Sequence, residues 1–250
     1  MPKLSESDVV LVLTGCVIPN CNDGLIISDY NIRYSQYKES IKWYLENTSF
    51  KIIFCENSGV DFSKEFIQYK ANRIECLTYI SPDEGQDRSK GYKEMEILEY
   101  AYKHSAFIKE GRLFVKITGR LILLNIVPMI NYFLYKKKDS FISAYQNSTR
   151  PFSDCKFIFF TSEFWPILLS YKEKIWPYNN FECITYKAIN DAKKAGMSFI
   201  YPPYLDRVNG IGGGNGISYN LSHQQYLFQN IKHQIRRLLF KMKIPPQIIR

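Results

Sequence analysis

Unbroken apolar runs alternate with segments of helical periodicity along the first third of the chain. Runs at residues 8–15, 51–59 and 73–80 are typical of strands that are buried on both faces of a sheet. The segments between them, 31–47 and 62–72, carry apolar side chains at helical spacing and are predicted to be helices. This alternation predicts an α/β fold with a mostly parallel central sheet flanked by helices.

The rest of the chain continues the same alternation. The predicted elements are a helix at 91–105, strands at 113–120 and 155–165, a helix at 181–196 and a short strand at 197–203. A glycine-rich loop follows at 207–220. Because no internal repeat and no linker separates these segments, residues 1–220 are predicted to form one domain.

The last segment, 221–250, has a different pattern. Residues 221–243 place apolar side chains close to helical spacing, and five cations lie largely between them: Lys232, Arg236, Arg237, Lys241 and Lys243. No acidic residue follows Asp206. The pattern predicts a basic amphipathic helix on an anionic membrane surface. The alternative is a helix that packs on the domain's own core and exposes a basic face. Nucleic-acid binding is expected least, because aromatic and basic side chains are not interleaved here.

Charge and cysteine content narrow the partners and the compartment. The formal net charge of +9 favours anionic partners such as nucleotides or acidic lipid. The six cysteines lack CxxC spacing, and several stand in apolar runs, which indicates buried thiols in a reducing compartment such as the cytoplasm. The N-terminus lacks the order of a signal peptide, and Asn125, Pro128 and Asn131 interrupt the longest apolar stretch, so we expect no membrane span.

Polar or glycine residues follow four of the predicted strands. These strand ends are Thr14-Gly15, Glu56-Asn57-Ser58-Gly59, Lys116-Ile117-Thr118-Gly119-Arg120 and Thr161-Ser162-Glu163. Ligands of open parallel sheets bind beyond the carboxyl ends of the strands, so we expect one shared cleft. Lys116 and Arg120 flank a Thr-Gly turn, which suits a phosphate or diphosphate. The alternative for this turn is a pair of solvated basic side chains.

Two further segments are candidate binding elements. Lys90 and Gly91 open a predicted helix, whose free N–H groups could hold an anion. The glycine loop contains Gly210, Gly212, Gly213, Gly214 and Asn215, and its spacing fails the dinucleotide fingerprint. We interpret this loop as a lid beside the acceptor or, equally, as a flexible connector to the last helix.

Two carboxylates are candidate general bases. Glu182 stands in the first turn of a predicted helix after Asn180, a suitable N-cap, and that helix end is expected to keep the carboxylate ionised. Glu163 follows a predicted strand. The alternative for Glu182 is an ordinary first-turn glutamate. The chain contains no DxD, HExxH, GxxxxGKS or GxSxG, so no motif supports a bound metal or a serine nucleophile.

This chain resembles small bacterial glycosyltransferases of O-antigen and capsule loci. The resemblance rests on the strand ends TG and ENSG, the helix start KGYxE, the turn KxTGR and the late glycine loop. The resemblance covers most of residues 8–220. It implies a GT-A-like fold, a nucleotide-sugar donor and a lipid-linked or oligosaccharide acceptor at the inner face of the cytoplasmic membrane. KxTGR stands where such enzymes usually carry a metal-binding DxD, so we expect Lys116 and Arg120 to replace the metal. Glu182 matches the usual inverting base.

Two other functions remain open at this point. One is a non-catalytic anion-binding protein that docks on a membrane or nucleic acid. The other is a transferase with a phosphoribosyl diphosphate donor, whose phosphates would suit the same KxTGR turn.

Overall fold

The fold is known from a computed structural model that describes residues 3–19, 25–69, 72–82, 89–136, 138–147, 150–175, 180–213 and 216–242. Within these ranges the strands, in chain order, are β1 (Val9–Gly15), β2 (Lys51–Glu56), β3 (Ile74–Thr78), β4 (Leu113–Thr118), β5 (Ile122–Leu123), β6 (Phe141–Ser143), β7 (Phe157–Thr161), β8 (Ser198–Phe199) and β9 (Val208–Asn209). The α-helices are α1 (Tyr30–Asn47), α2 (Lys90–His104), α3 (Ala106–Glu110), α4 (Ile126–Lys136), α5 (Phe164–Leu169), α6 (Phe181–Lys194) and α7 (His223–Lys241).

Seven of these strands form the central sheet, in the order β3-β2-β1-β4-β7-β6-β8. β7 runs antiparallel to both of its neighbours, and the other neighbouring pairs are parallel. β5 and β9 form a separate antiparallel pair. The predicted α/β fold with a mostly parallel sheet is therefore confirmed.

Helices cover both faces of the sheet. Val9, Leu11 and Leu13 of β1 belong to a core cluster that includes residues of α1 and α4. Val10 and Val12 point the other way, into a cluster that includes residues of α2, α5 and α6. Both sets are apolar because the strand is buried on two faces, which explains the unbroken run in the sequence.

Side-chain caps fix where the helices begin. Asp29 caps α1, Ser89 caps α2, and Ser222 caps α7, each by accepting a backbone N–H of the first turn. Asn180 caps α6 by accepting the N–H of Cys183 at 2.8 Å, as the sequence predicted.

The strand order changes direction at β1. The chain moves to one side of β1 through β2 and β3, and it returns through α2 and α3 to form β4 on the other side. The loops that leave β1 and β4 therefore diverge, which opens a crevice at the carboxyl edge of the sheet.

The prediction of a helix at 62–72 is wrong for its described part. Residues 62–69 form turns and a short 3-10 helix at Ile67–Tyr69. The Asp61 carboxylate accepts the N–H of Ser63 at 2.7 Å, which favours a turn here. Phe62 and Phe66 are both buried, and this pair produced the apparent helical spacing.

The expectation that four strand ends share one cleft is also wrong for Thr161-Ser162-Glu163. Because β7 is antiparallel to β4, its carboxyl end lies beside the start of β4, at the opposite edge of the sheet. The N–H of Ser162 donates to the carbonyl of Arg112 at 3.2 Å. Glu163 is consequently remote from the other three strand ends.

Candidate active site

The crevice at the carboxyl edge is a well-formed pocket between β1, β4, α1 and α2. Its walls include Thr14, Gly15, Cys16, Arg33, Tyr37, Asn57, Lys90, Lys93, Glu94, Thr118 and Arg120. Three of the predicted strand ends and the predicted helix start of α2 thus meet in one place.

Positive charge dominates this pocket. Arg33, Lys90, Lys93 and Arg120 line it, whereas Glu94 is the one carboxylate among its described lining residues. No carboxylate of the described residues lies within 4.0 Å of either arginine's nitrogens. Since the Glu94 charge is balanced by a lysine outside the pocket wall, an anion is the ligand that this arrangement favours.

Arg33 is buried and organises the loop after β1. Its Nε donates to the carbonyl of Cys16 at 2.8 Å, and its Nη1 donates to the carbonyl of Ile27 at 3.0 Å. The Tyr37 hydroxyl accepts the N–H of Cys16 at 3.0 Å. Burial raises the pKa of Tyr37, and the Arg33 and Arg120 charges oppose that rise.

Sequence reasoning missed Arg33. The available signal was its position, because Arg33, Tyr37, Ile41 and Tyr44 form one buried stripe of α1. A charged residue on an apolar stripe directly after the first loop of the sheet is unusual unless it has a local role.

Arg120 lies between the crevice and a second hollow. Its Nη1 donates to Gln36 Oε1 at 3.3 Å and to the carbonyl of Ile211 at 3.2 Å. Gly213 packs so closely on the guanidinium that a Cβ there would overlap it. The glycine loop therefore rests on Arg120.

Gly119 allows the ends of β1 and β4 to approach each other. Its N–H donates to the carbonyl of Thr14 at 2.9 Å, and a Cβ on Gly119 would lie 2.6 Å from that same oxygen. The close backbone approach expected of the Thr-Gly turn is present, and only glycine permits it.

Lys116 does not face the crevice. Its side chain is 0% exposed, and its Nζ lies 2.5 Å from Glu94 Oε1 and 2.5 Å from the carbonyl oxygen of Cys155. The Thr14 hydroxyl donates to Glu94 Oε1 at 3.1 Å. Lys116 thus orients the carboxylate that lines the pocket, whereas the sequence had suggested a direct contact between Lys116 and a phosphate.

The strand end after β2 contributes one brace and one candidate ligand contact. The buried Glu56 carboxylate accepts the N–H groups of Val17, Ser58 and Val60, each at 2.9 Å, and so ties the loop after β1 to the loop after β2. Asn57 lines the pocket, and its buried Oδ1 has no hydrogen-bond partner among the described residues. Such an acceptor is costly unless a ligand satisfies it.

Glu182 lies at the start of α6, near the Lys116–Glu94 pair. Its pKa is raised by burial, and the Glu94 charge adds to that rise while Lys116 opposes it. The backbone hydrogen bond of Glu182 at the start of α6 favours the ionised carboxylate, as expected of a helix end, but burial outweighs it and sets the direction of the pKa shift. Gly91, at the start of α2, packs directly against Phe181, where a Cβ would lie 2.8 Å from the Phe181 Cβ.

The second hollow lies under the glycine loop and shares two residues with the crevice. It is lined by Thr118, Arg120, Leu121, Lys156, Gly212, Gly213 and Tyr219. Lys156 forms an ion pair with Asp154, and its Nζ lies 5.1 Å from the centre of the Tyr219 ring. Gly210 has a φ of +140° and also belongs to this loop. Gly214 and Asn215 lie outside the described residues.

Asp206 is a carboxyl group near this hollow whose pKa is strongly raised. Burial raises its pKa to about 8, the Asp154 charge adds to the rise, and Lys156 opposes it. Sequence reasoning used Asp206 only as the last acidic residue, because nothing in its local pattern reports burial.

Neither a metal cluster nor a membrane-spanning helix is present in the described residues. No three His, Cys, Asp or Glu side chains converge on a metal-sized site in the parts of the chain that the structure describes. Among those same parts, no helix combines the length and apolar character needed to cross a bilayer.

Fold and site together define an α/β protein with a cationic crevice at the carboxyl edge of its parallel strands. The sequence matches no protein-family model and has no significant match among curated proteins.

Several solved structures are similar in chain path. The glycosyltransferase GlyE of Streptococcus pneumoniae has 11% identity and a TM-score of 0.48, over 74% of this chain and 44% of its own. A putative nucleotide-diphospho-sugar transferase of Desulfovibrio desulfuricans has 10% identity and a TM-score of 0.45, over 78% and 79%. A cytidylyltransferase of Leptospira borgpetersenii has 13% identity and a TM-score of 0.46, over 98% and 99%. The chain thus spans about half the length of GlyE, and at these scores no shared substrate follows.

Proposed function

We propose that this chain is a glycosyltransferase that transfers a sugar from a nucleotide-sugar donor. The observation that carries the proposal is the crevice at the β1–β4 switch point, where the described lining residues include four cations and one carboxylate, Glu94, which is paired with Lys116. A nucleoside diphosphate has the charge and the length to use such a site. Carboxyl ends of parallel strands are also where α/β proteins bind nucleotides.

The cations have a catalytic reason to be there. As the sugar–phosphate bond breaks, negative charge grows on the departing diphosphate, and preorganised donors stabilise that charge. Arg120 and Arg33 are held by hydrogen bonds to backbone and amide oxygens, so their positions do not depend on the ligand. Lys90 and the N–H groups at the start of α2 add to this effect. We propose that these groups act in place of a DxD-bound metal.

Glu94 and Asn57 are proposed to recognise the donor. Glu94 presents a carboxylate oxygen to the crevice, which suits hydrogen bonds from sugar hydroxyls, and Lys116 and Thr14 fix its direction. The Oδ1 of Asn57, which has no hydrogen-bond partner in the described part of the chain, suits a donor group of the nucleobase. Lys116 is in this proposal a positioning residue.

We propose Glu182 as the general base that takes the proton from the acceptor hydroxyl. A raised pKa makes the ionised carboxylate a stronger base, which improves it as a proton acceptor. The acceptor would enter from the second hollow, beside the glycine loop, which would close over it. Glu163 has no part in this scheme, because it lies at the other edge of the sheet.

The acceptor and the pathway are proposed from the sequence resemblance. They are a lipid-linked or oligosaccharide acceptor in the synthesis of a bacterial surface polysaccharide, O-antigen or capsule, with a hexose or pentose transferred. An enzyme with such an acceptor would work at the inner face of the cytoplasmic membrane.

Thermal unfolding with UDP-, GDP-, CMP- and dTDP-sugars tests the donor. At one hundred times its Kd, the correct donor should raise the Tm by about 5–10 °C. Arg120→Met should weaken that donor at least ~10-fold, whereas Arg150→Met, at an exposed arginine away from the crevice, should not. If no nucleotide sugar and no free nucleotide raises the Tm, the proposal is wrong.

Turnover tests the chemistry. Glu182→Gln should lower kcat by about 10²–10⁴ while leaving donor affinity unchanged. Transfer or donor hydrolysis should continue in EDTA. Strict dependence on added Mn²⁺ or Mg²⁺ would contradict the proposed role of the cations.

A further inference from the structure

Helix α7 is attached to the domain through its polar side. Five polar side chains of the helix hydrogen-bond to the strap 202–205 or to α4: Tyr226, Asn230, His233, Gln234 and Arg237. His233 is 2% exposed and contacts both the Tyr145 hydroxyl and the carbonyl of Pro202, each at 3.0 Å. These polar contacts, together with the packing of the Phe240 ring against Phe199 and Tyr201, therefore fix the orientation of the helix.

The apolar side of α7 faces away from the domain. Its large side chains are between 44% and 61% exposed: Leu227, Phe228, Ile231, Ile235, Leu238 and Met242. At about 100° per residue they fall within an arc of about 100°. An amphipathic helix of a globular domain normally buries this stripe. The alternative of a helix that packs on the domain and exposes a basic face holds in part: α7 does pack on the domain and Lys232 and Arg236 are exposed, but the apolar stripe is exposed as well.

Exposed cations border this outer stripe. Lys232 and Arg236 lie along one side of it and Lys241 along the other. Arg237 belongs to the attached side, since its Nη2 donates to the Tyr132 hydroxyl at 2.7 Å. Lys243 lies outside the described residues.

We propose that the outer face of α7 is a docking surface for an anionic bilayer, with the apolar stripe in the boundary between headgroups and acyl chains. An apolar stripe with cations on its edges matches both layers of such a surface. A second copy of the chain fits less well, because pairing two stripes would bring their flanking cations together. The proposal takes from the proposed function only the membrane location, and its test requires no sugar transfer.

Docking in this way would connect the membrane to the candidate active site. The strap that α7 holds continues through Asp206 into β9 and the glycine loop, which rests on Arg120.

Vesicle flotation of the purified full chain tests the surface. Wild type should float with vesicles of phosphatidylglycerol and phosphatidylethanolamine, and much less with pure phosphatidylcholine. The triple variant Phe228→Ser, Ile231→Ser, Leu238→Ser should bind ~100-fold more weakly. The double variant Lys232→Gln, Arg236→Gln should bind the anionic vesicles about fivefold more weakly for each cation removed. This loss of affinity should be larger at low than at high salt.

A matched control separates the helix from general hydrophobicity. Ile67 is 61% exposed, as Ile231 is 60% exposed, but it lies on another part of the molecule. Ile67→Ser should leave flotation unchanged, and all variants should keep the wild-type Tm because the replaced side chains are exposed. Equal flotation of wild type and the triple variant would overturn the proposal.

Sedimentation of the same proteins distinguishes the other occupant. A wild-type dimer that becomes monomeric in the triple variant, together with no vesicle binding, would assign the stripe to a second copy and refute bilayer docking. Vesicle binding without any donor-induced Tm shift would instead support the docking surface and contradict the proposed transferase function.

Discussion

Asp206→Asn should stabilise the protein at neutral and alkaline pH. Burial raises the pKa of Asp206 to about 8, against an ordinary value of 3.8. An unfolded chain ionises this group above pH 4, whereas the folded chain must keep it protonated up to about pH 8. The folded state therefore loses stability as the pH rises through this window, and the loss is complete above the folded pKa.

The size of the effect follows from the shift. About four pKa units at ~1.36 kcal/mol each give an upper limit of ~6 kcal/mol. Because the side chain keeps partial contact with solvent, we expect about 3 kcal/mol for the neutral, isosteric asparagine at pH 8. In a chain of this length that is a Tm increase of roughly 6–12 °C.

Thermal or urea unfolding of wild type and Asp206→Asn between pH 4 and pH 9 measures this difference in stability. The two stabilities should agree near pH 4, separate progressively as the pH rises, and differ by a constant amount above pH 8. Asp139→Asn, at an exposed aspartate, should show no such divergence. A variant that is less stable than wild type at pH 8 would refute the reasoning.

Three further predictions concern buried contacts. Lys116→Met should cost about 3–5 kcal/mol of unfolding free energy by chemical denaturation, because it leaves Glu94 without its partner, and Glu94→Gln in the same chain should recover much of that loss. Gly213→Ala should displace Arg120 and weaken donor binding at least ~10-fold by titration, with a Tm change of only a few degrees. Burial lowers the pKa of His233 to about 4. Between pH 6.5 and pH 4 the imidazole is therefore protonated in the unfolded chain but not in the folded one. The free energy of unfolding should decline by about 2–3 kcal/mol as the pH falls to 4. His233→Gln should remove that decline, and an unchanged pH profile in the variant would contradict it.

Local pattern predicted most of the elements and part of the site. The strands from β1 to β4, the cap at Asn180 and the Thr-Gly turn after β4 all follow from apolar runs, N-cap chemistry and glycine placement. These features depend on residues a few positions apart, so the sequence reports them directly. The same holds for the amphipathic character of α7.

The pairing of strands and of side chains that are distant in sequence decided the features that local pattern does not report. An apolar run looks the same in either direction, so the antiparallel path of β7, which moved Glu163 to the far edge, could not be read from it. Lys116 looked like a phosphate ligand because its partner Glu94 is distant in sequence but adjacent in the fold.

The last helix shows the division most clearly. Periodicity fixed that α7 has one apolar and one polar side, because that is a property of a single element. Which side meets the domain depends on what the domain offers, and here the strap 202–205 offers backbone carbonyls that Tyr226, His233 and Gln234 satisfy. Hydrogen bonds to buried carbonyls turned the polar side inward, and the tertiary structure alone therefore decided that the apolar stripe faces outward.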